Sequence, residues 1–151
     1  MVYTLLLIDF QPGFIDPDPD FAFNLNELID KAMNENADIV VCEFFGFGSS
    51  WKMIRKKLSK YEHKYVIRKK DQDGGRHVNS RLSKLKLKKI HEIRVAGLYA
   101  DMCVKDTVMT LAELMPKSNF IILRKFCIAS GYKEDAWNLY KNRKVKNLKL
   151  K

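Results

Sequence analysis

The stretch "RVAGLYADMCVKDTVMTLAELM", residues 94–115, joins an apolar run closing on Gly97 to an amphipathic pattern opening at Cys103. The first part has the near-continuous hydrophobicity of a strand buried on both faces. The second carries Val104, Leu111 and Met115 at helical spacing and stops at Pro116. A strand feeding a helix is half of a crossover unit, and the alternation recurs outward from here. Apolar runs stand at 3–9 (YTLLLID), 37–45 (ADIVVCEFF), 64–68 (KYVIR), 93–97 (IRVAG) and 119–124 (NFIILR). Between them, Leu25, Leu28, Ile29, Ala32 and Met33 mark a helix, with Asn24 and Glu27 spaced as a capping box. Trp51, Ile54 and Leu58 mark a second, Val78 to Leu87 a weaker third, and Glu134 to Asn142 a last one.

This alternation predicts an α/β fold in three layers, α/β/α, around a central, mainly parallel sheet of five to six strands with right-handed crossovers. Residues 1–151 read as one domain, without repeat, linker or low-complexity block. The final "RKVKNLKLK" (143–151) fits either a frayed basic tail or a short edge strand, and both readings stand.

Composition narrows the class. A 46% apolar fraction over 151 residues suits a packed core rather than disorder. Three cysteines, Cys42, Cys103 and Cys127, have neither metal-ligand nor redox-pair spacing, which fits a reducing, cytoplasmic setting. The opening "MVYTLLLIDF" lacks a basic flank and meets Asp9 too early for a signal peptide, and no run reaches membrane-span length. The net charge of +10 gathers at Lys52–Lys70 and beyond Lys141. Such a surface fits a lysine-rich solvated exterior; binding of nucleic acid or another acidic partner is the alternative class.

In open parallel sheets, ligands bind beyond the C-terminal ends of the strands. Asp9 ends the first strand, Lys69 follows the third and Cys103 follows the fourth. With those strands side by side, a carboxylate, an ammonium and a thiol share one cleft. A lysine and a helix N-terminus both favour thiolate, the nucleophilic form, so a thiol of lowered pKa is expected. The aspartate can take the thiol proton and return it to a departing amine.

These residues carry a resemblance to the isochorismatase-like cysteine hydrolases, which include nicotinamidases and N-carbamoylsarcosine amidohydrolases. The first motif of that family appears as Asp9, Gln11 and Phe14, the lysine motif as Lys69 with Asp73 and Gly74, and the third as "GLYADMCV" with Gly97, Asp101, Cys103 and Val104. The resemblance extends from the first strand to Gly131 and implies the catalytic set Asp9, Lys69 and Cys103. It further implies a thioester on Cys103, an oxyanion hole from the backbone N–H groups of Tyr99 and Cys103, a cis peptide between Leu98 and Tyr99, and a homo-oligomer. The implied substrate is a small molecule with an amide-like C–N bond.

The chain departs from that pattern in places. Nicotinamidases bind a metal just after the second strand, where this chain has "CEFFGFGSSW" (42–51) without a histidine. His63, His77 and His91 share no ligand spacing, so neither a metal nor another cofactor is expected. Cys103 argues against isochorismate as substrate, because members specialised for it lack the cysteine. The chain is short for the family, and the basic "LRKFC" (123–127) stands where many members are acidic. Phe14, Phe44, Phe45, Trp51 and Tyr99 fall near the expected cleft, as walls for a planar substrate or as core beneath a loop. The acidic "DPDPDFAFNLNE" (16–27) mimics a calcium loop but has Phe21 where the sharp turn requires glycine; it reads as a polar loop leading into a helix cap.

Overall fold

The computed structural model describes residues 2–85, 91–141 and 145–151. Six strands, β1 (Thr4–Ile8), β2 (Asp38–Phe44), β3 (Lys64–Lys69), β4 (Glu92–Leu98), β5 (Asn119–Ile128) and β6 (Leu148–Leu150), form one sheet in the order β3-β2-β1-β4-β5-β6. Every pairing is parallel. Among the described residues five helices intervene: α1 (Pro19–Asn34), α2 (Lys52–Lys57), α3 (Gly75–Lys84), α4 (Cys103–Leu114) and α5 (Lys133–Asn138). The expected α/β architecture is the observed one, and residues 148–150 are an edge strand rather than a tail. Leu87, Asn142 and positions 143–144 lie outside the described residues.

Alternation along the strands sorts the core into two layers. Leu6, Ile8, Val40, Cys42, Ile67, Val95 and Ile122 meet Val78, Val104, Val108, Leu111 and Ala136 of α3, α4 and α5. Leu5, Leu7, Ile39, Val41, Ala96 and Leu98 meet Leu25 and Ile29 of α1, Ile54 of α2 and Leu58, which caps α2. Both faces of β1 are covered, which is why its sequence is apolar without alternation.

The start of α1 differs from the capping-box expectation. Asp18 is the N-cap, its Oδ1 accepting from the N–H groups of Asp20 and Phe21 at 3.1 Å, and Pro19 opens the helix. Proline suits that place because its missing donor is not needed there. Asn24 lies inside the helix and donates from Nδ2 to the Asp20 carbonyl. Strand β5 runs to Ile128, beyond the expected 124, and breaks register against β4 on the way.

Candidate active site

Because β1 sits between β2 and β4, with β3 beyond β2, the residues after β1, at the end of β3 and at the start of α4 meet over one edge of the sheet. Asp9 follows β1 with φ of 56°, a left-handed conformation that aspartate tolerates better than most residues. Lys69 ends β3 and points into the layer that holds α3 and α4. Its Nζ stands 2.9 Å from Asp9 Oδ2, and both side chains are fully buried. Cys103 opens α4, 4% exposed, and its thiol reaches both partners closely enough that hydrogen bonds to each bear on its acidity. The structure therefore brings Asp9, Lys69 and Cys103 together.

The electrostatics of this trio depart from expectation. Burial, followed by the Asp9 charge, pushes the Cys103 thiol up to about 12, and Lys69 offsets only part of that. Burial likewise raises the Asp9 carboxyl, against the pull of Lys69. The thiol is thus not the low-pKa group that its place at a helix N-terminus suggested. The physical reason is that one carboxylate already balances the one ammonium, so a second anion in a dry site is disfavoured. Lysine, carboxylate and neutral thiol sum to zero charge. Moving the proton from sulfur to Asp9 preserves that sum.

Neighbouring residues fix these groups. Lys69 Nζ donates to the carbonyls of Asp71 and Gln72 at 3.1 and 3.2 Å. Those carbonyls belong to the loop entering α3, which α4 clamps from its own first turns. Gln72 Nε2 donates to Asp106 Oδ2 (2.5 Å), the Gly74 N–H to Thr107 Oγ1 (3.1 Å), and Thr110 Oγ1 to Asp73 Oδ2 (2.6 Å). Gly74 is required for contact reasons, since a Cβ there would lie 2.4 Å from Lys69 Cδ. On the other side, buried Gln11 donates to the carbonyls of Phe44 and Gly48 and accepts the Phe44 N–H, tying the β1 and β2 loops together. Asp9 Oδ2 is ion-paired with Lys69 Nζ, and among the described residues no backbone N–H is aligned on either carboxylate oxygen.

Over this polar floor stands an aromatic cluster. Phe14 stacks on Phe47 with centroids 4.3 Å apart, meets Tyr99 edge-on at 6.1 Å, and lies 6.1 Å from Phe44. Lys69 Nζ is 4.2 Å from the Phe44 ring centroid. Two expected wall residues stand elsewhere. Trp51 is 3% exposed in the α1–α2 layer, packed on Phe10 and Phe21 with Nε1 donating to the Ile15 carbonyl. Phe45 is 68% exposed, because its left-handed neighbour Gly46 turns the chain outward. Phe47 was missed by the sequence reading; the "FFGFG" run holds three phenylalanines, and only the turn decides which one faces inward.

Tyr99 and Cys103 bracket the turn from β4 to α4. The Leu98–Tyr99 peptide is cis, and the Tyr99 carbonyl accepts from the N–H groups of Met102 and Val104. As the first residue of α4, Cys103 has an N–H that the helix ladder does not use. Asp101, the acid of "GLYADMCV", accepts from the N–H and hydroxyl of Ser130, which lowers its pKa and fastens the turn to the end of β5.

The residues after β2 do not fit a divalent metal. Glu43 is buried with Oε1 accepting from the N–H and hydroxyl of Ser50, and Phe45 to Ser49 offer neither imidazole nor carboxylate. Among the described residues, no three of His, Cys, Asp and Glu are grouped as ligands.

A family model described as "Isochorismatase domain" matches residues 3–115. Among solved structures, the chain is similar to the nicotinamidase SaPncA of Staphylococcus aureus at 14% identity and TM-score 0.79, covering 99% of this chain and 97% of that one. It is similar to the YcaC gene product of Escherichia coli, an octameric hydrolase of unknown specificity, at 16% identity and TM-score 0.74, covering 99% and 74%. A third similar structure is the MAR1 ribonuclease of Caenorhabditis elegans, at 19% identity and TM-score 0.75, covering 95% and 74%. The comparison with curated proteins found no match. At these identities the structural likeness shows the fold.

Proposed function

The chain belongs to the isochorismatase-domain family, and from that premise we propose that it is a metal-independent cysteine hydrolase cleaving the amide-like C–N bond of a small molecule. The observation that carries this reading is the buried, charge-neutral trio of Asp9, Lys69 and Cys103 beneath an aromatic wall.

Asp9 takes the Cys103 proton as sulfur attacks the carbonyl carbon, so a carbon–sulfur bond forms while the carbonyl electron pair moves to oxygen. The backbone N–H groups of Tyr99 and Cys103 hold that oxyanion. The electron pair returns, the C–N bond breaks, and Asp9 gives its proton to the departing nitrogen. Water, deprotonated by Asp9, then attacks the thioester, and the acid leaves as sulfur regains a proton. Lys69, 2.9 Å from Asp9, favours one negative charge in the site at each stage. A neutral resting thiol suits this sequence, because proton transfer and attack need create no extra buried charge.

Phe14, Phe44, Phe47 and Tyr99 favour a flat, apolar acyl group. The protein acts as a homo-oligomer in this proposal; the similar YcaC gene product is described as octameric. The test is ammonia release from a panel of small aryl and alkyl amides and N-carbamoyl amines, with mass spectrometry for the acyl adduct on Cys103. An adduct on that peptide, and activity lost in Cys103→Ala and Asp9→Asn, are expected. Turnover that survives Cys103→Ala overturns the mechanism. Inactivity on the whole panel, together with salt-sensitive retention of RNA, favours the basic binding protein instead.

A further inference from the structure

The β5–β6 half of the sheet has a helix-covered face and an open one. On the α3–α5 side, Phe120, Ile122 and Leu148 are buried. On the α1 side, Leu123, Phe126 and Ile128 pack only partly buried against the α1–α2 core, and Ile121 and Leu123 stay half-exposed. Strand β6 follows this division: Leu148 and Leu150 turn to the covered core, whereas Lys149 and Lys151 are exposed.

An excursion of β5 builds a wall on the open side. Pairing with β4 passes from Val95↔Ile122 to Gly97↔Cys127, so Ala96 alone faces the stretch Leu123–Phe126. Bulges of this kind re-aim side chains and are common beside functional sites. Here the excursion is fastened to β6, with the Lys151 N–H donating to the Ile122 carbonyl (2.9 Å) and the Arg124 N–H to the Lys151 carbonyl (2.8 Å). Between this wall and α1 lies a cavity of about 650 Å³, the largest of those described. Leu28, Ile121, Leu123 and Phe126 give it an apolar floor, and Lys31, Lys125 and Lys151 approach it from three different elements. Among the described residues, none of these three lysines is ion-paired. Arg94, also in the lining, is engaged by Glu92 and Glu35, and Glu27 is the one side-chain carboxylate of that lining.

We propose that this groove is a second binding site, separate from the Asp9–Lys69–Cys103 site, for a small soluble amphipathic anion: an apolar body carrying a carboxylate. Its volume falls within the small-ligand range, and apolar lining with a few convergent charged groups is the usual chemistry of such sites. The charges select the occupant. A second copy of this chain would bring the same cationic rim against itself, and a neutral apolar guest would leave Lys31, Lys125 and Lys151 facing only the Glu27 side-chain carboxylate. The basic "LRKFC" segment, which the catalytic reading does not use, thereby acquires a role.

The test is a 1H–15N NMR titration of the full chain with octanoate, beside 1-octanol as the neutral counterpart. Saturable shifts are expected at Leu28, Lys31 and Leu123–Phe126, with octanol at least fivefold weaker. The exposed double variant Lys125→Glu/Lys151→Glu is expected to bind octanoate at least tenfold more weakly, and Lys125→Ala/Lys151→Ala to fall between. Cys103→Ala is expected to bind as the unaltered chain does. Shifts that never saturate in the millimolar range, equal affinity in the charge-reversed variant, or shifts confined to Tyr99–Cys103 each overturn the proposal. None of these readouts depends on amide turnover, so the hydrolase reading stands or falls separately.

Discussion

Removing the Asp9 carboxylate should make the Cys103 thiol more reactive toward an alkylating agent while ending the proposed turnover of amides. In the native site, burial and the Asp9 charge push Cys103 up to about 12. Asp9→Asn deletes that anion and leaves the buried Lys69 ammonium, 2.9 Å from the Asp9 position, without its partner. For two unit charges about 4 Å apart at an effective dielectric of about 20, the Coulomb energy is about 4 kcal/mol, or ~3 pK units. A shift of that size returns the thiol to the ordinary cysteine range. The assay is iodoacetamide labelling of Cys103 from pH 6 to 10, followed by peptide mass spectrometry. At mildly alkaline pH the thiolate fraction should rise about a thousandfold, and after the roughly twentyfold lower nucleophilicity of a less basic sulfur the variant should label on the order of fiftyfold faster than the native protein. Its profile should level within the ordinary thiol range while the native profile keeps climbing. Slower labelling in Asp9→Asn at every pH would refute the reasoning, since it would mean that Asp9 stabilises the thiolate rather than the thiol.

Four further outcomes follow from the same geometry. Lys69→Met strands a fully buried carboxylate, so urea denaturation should show a loss of ~3–5 kcal/mol, most of it recovered in Asp9→Leu/Lys69→Met. The Asp9 carboxyl is raised in the fold, so its contribution to stability is fully present below its unfolded value of 3.8 and is lost as pH climbs through the folded one; Asp9→Asn should flatten that part of the pH–stability curve. Thr107→Val removes the acceptor of the Gly74 N–H and should cost ~1–3 kcal/mol, with amide turnover falling through kcat, whereas Thr107→Ser should restore both. Gly74→Ala sets a Cβ 2.4 Å from Lys69 Cδ, and thermal unfolding should show ~1–3 kcal/mol lost to overpacking.

How far the site was legible depended on how local each decision was. Asp9, Lys69 and Cys103 could be read because each lies next to the end or start of an apolar, periodic element, and parallel strands deliver such positions to one edge. The helix cap at Asp18 was misplaced because several acidic and amide residues in succession could each cap, and Asp16 and Asp18 are both followed by a proline. The aromatic wall was half legible. Trp51 looked like a lining residue from its place after β2, yet α2 folds back and buries it on Phe10. Phe45 and Phe47 exchange roles because of a turn at Gly46 whose hand cannot be read from the residues flanking it.

The sequence by itself determined the strands, the helices and the chemical types at the strand ends, because hydrophobic period and chain connectivity act over a few residues at a time. Only the tertiary structure decided the state of the thiol. Helix position and a nearby lysine both argued for a thiolate, but the balance depends on how many charges share the site and how much water is left there. With Asp9 and Lys69 already paired in a dry interior, burial and the Asp9 charge hold the third group toward its neutral form. The open groove beside β5 is tertiary in the same sense: its lysines come from α1, from an excursion of β5 and from the residue after β6, three places that only folding makes neighbours.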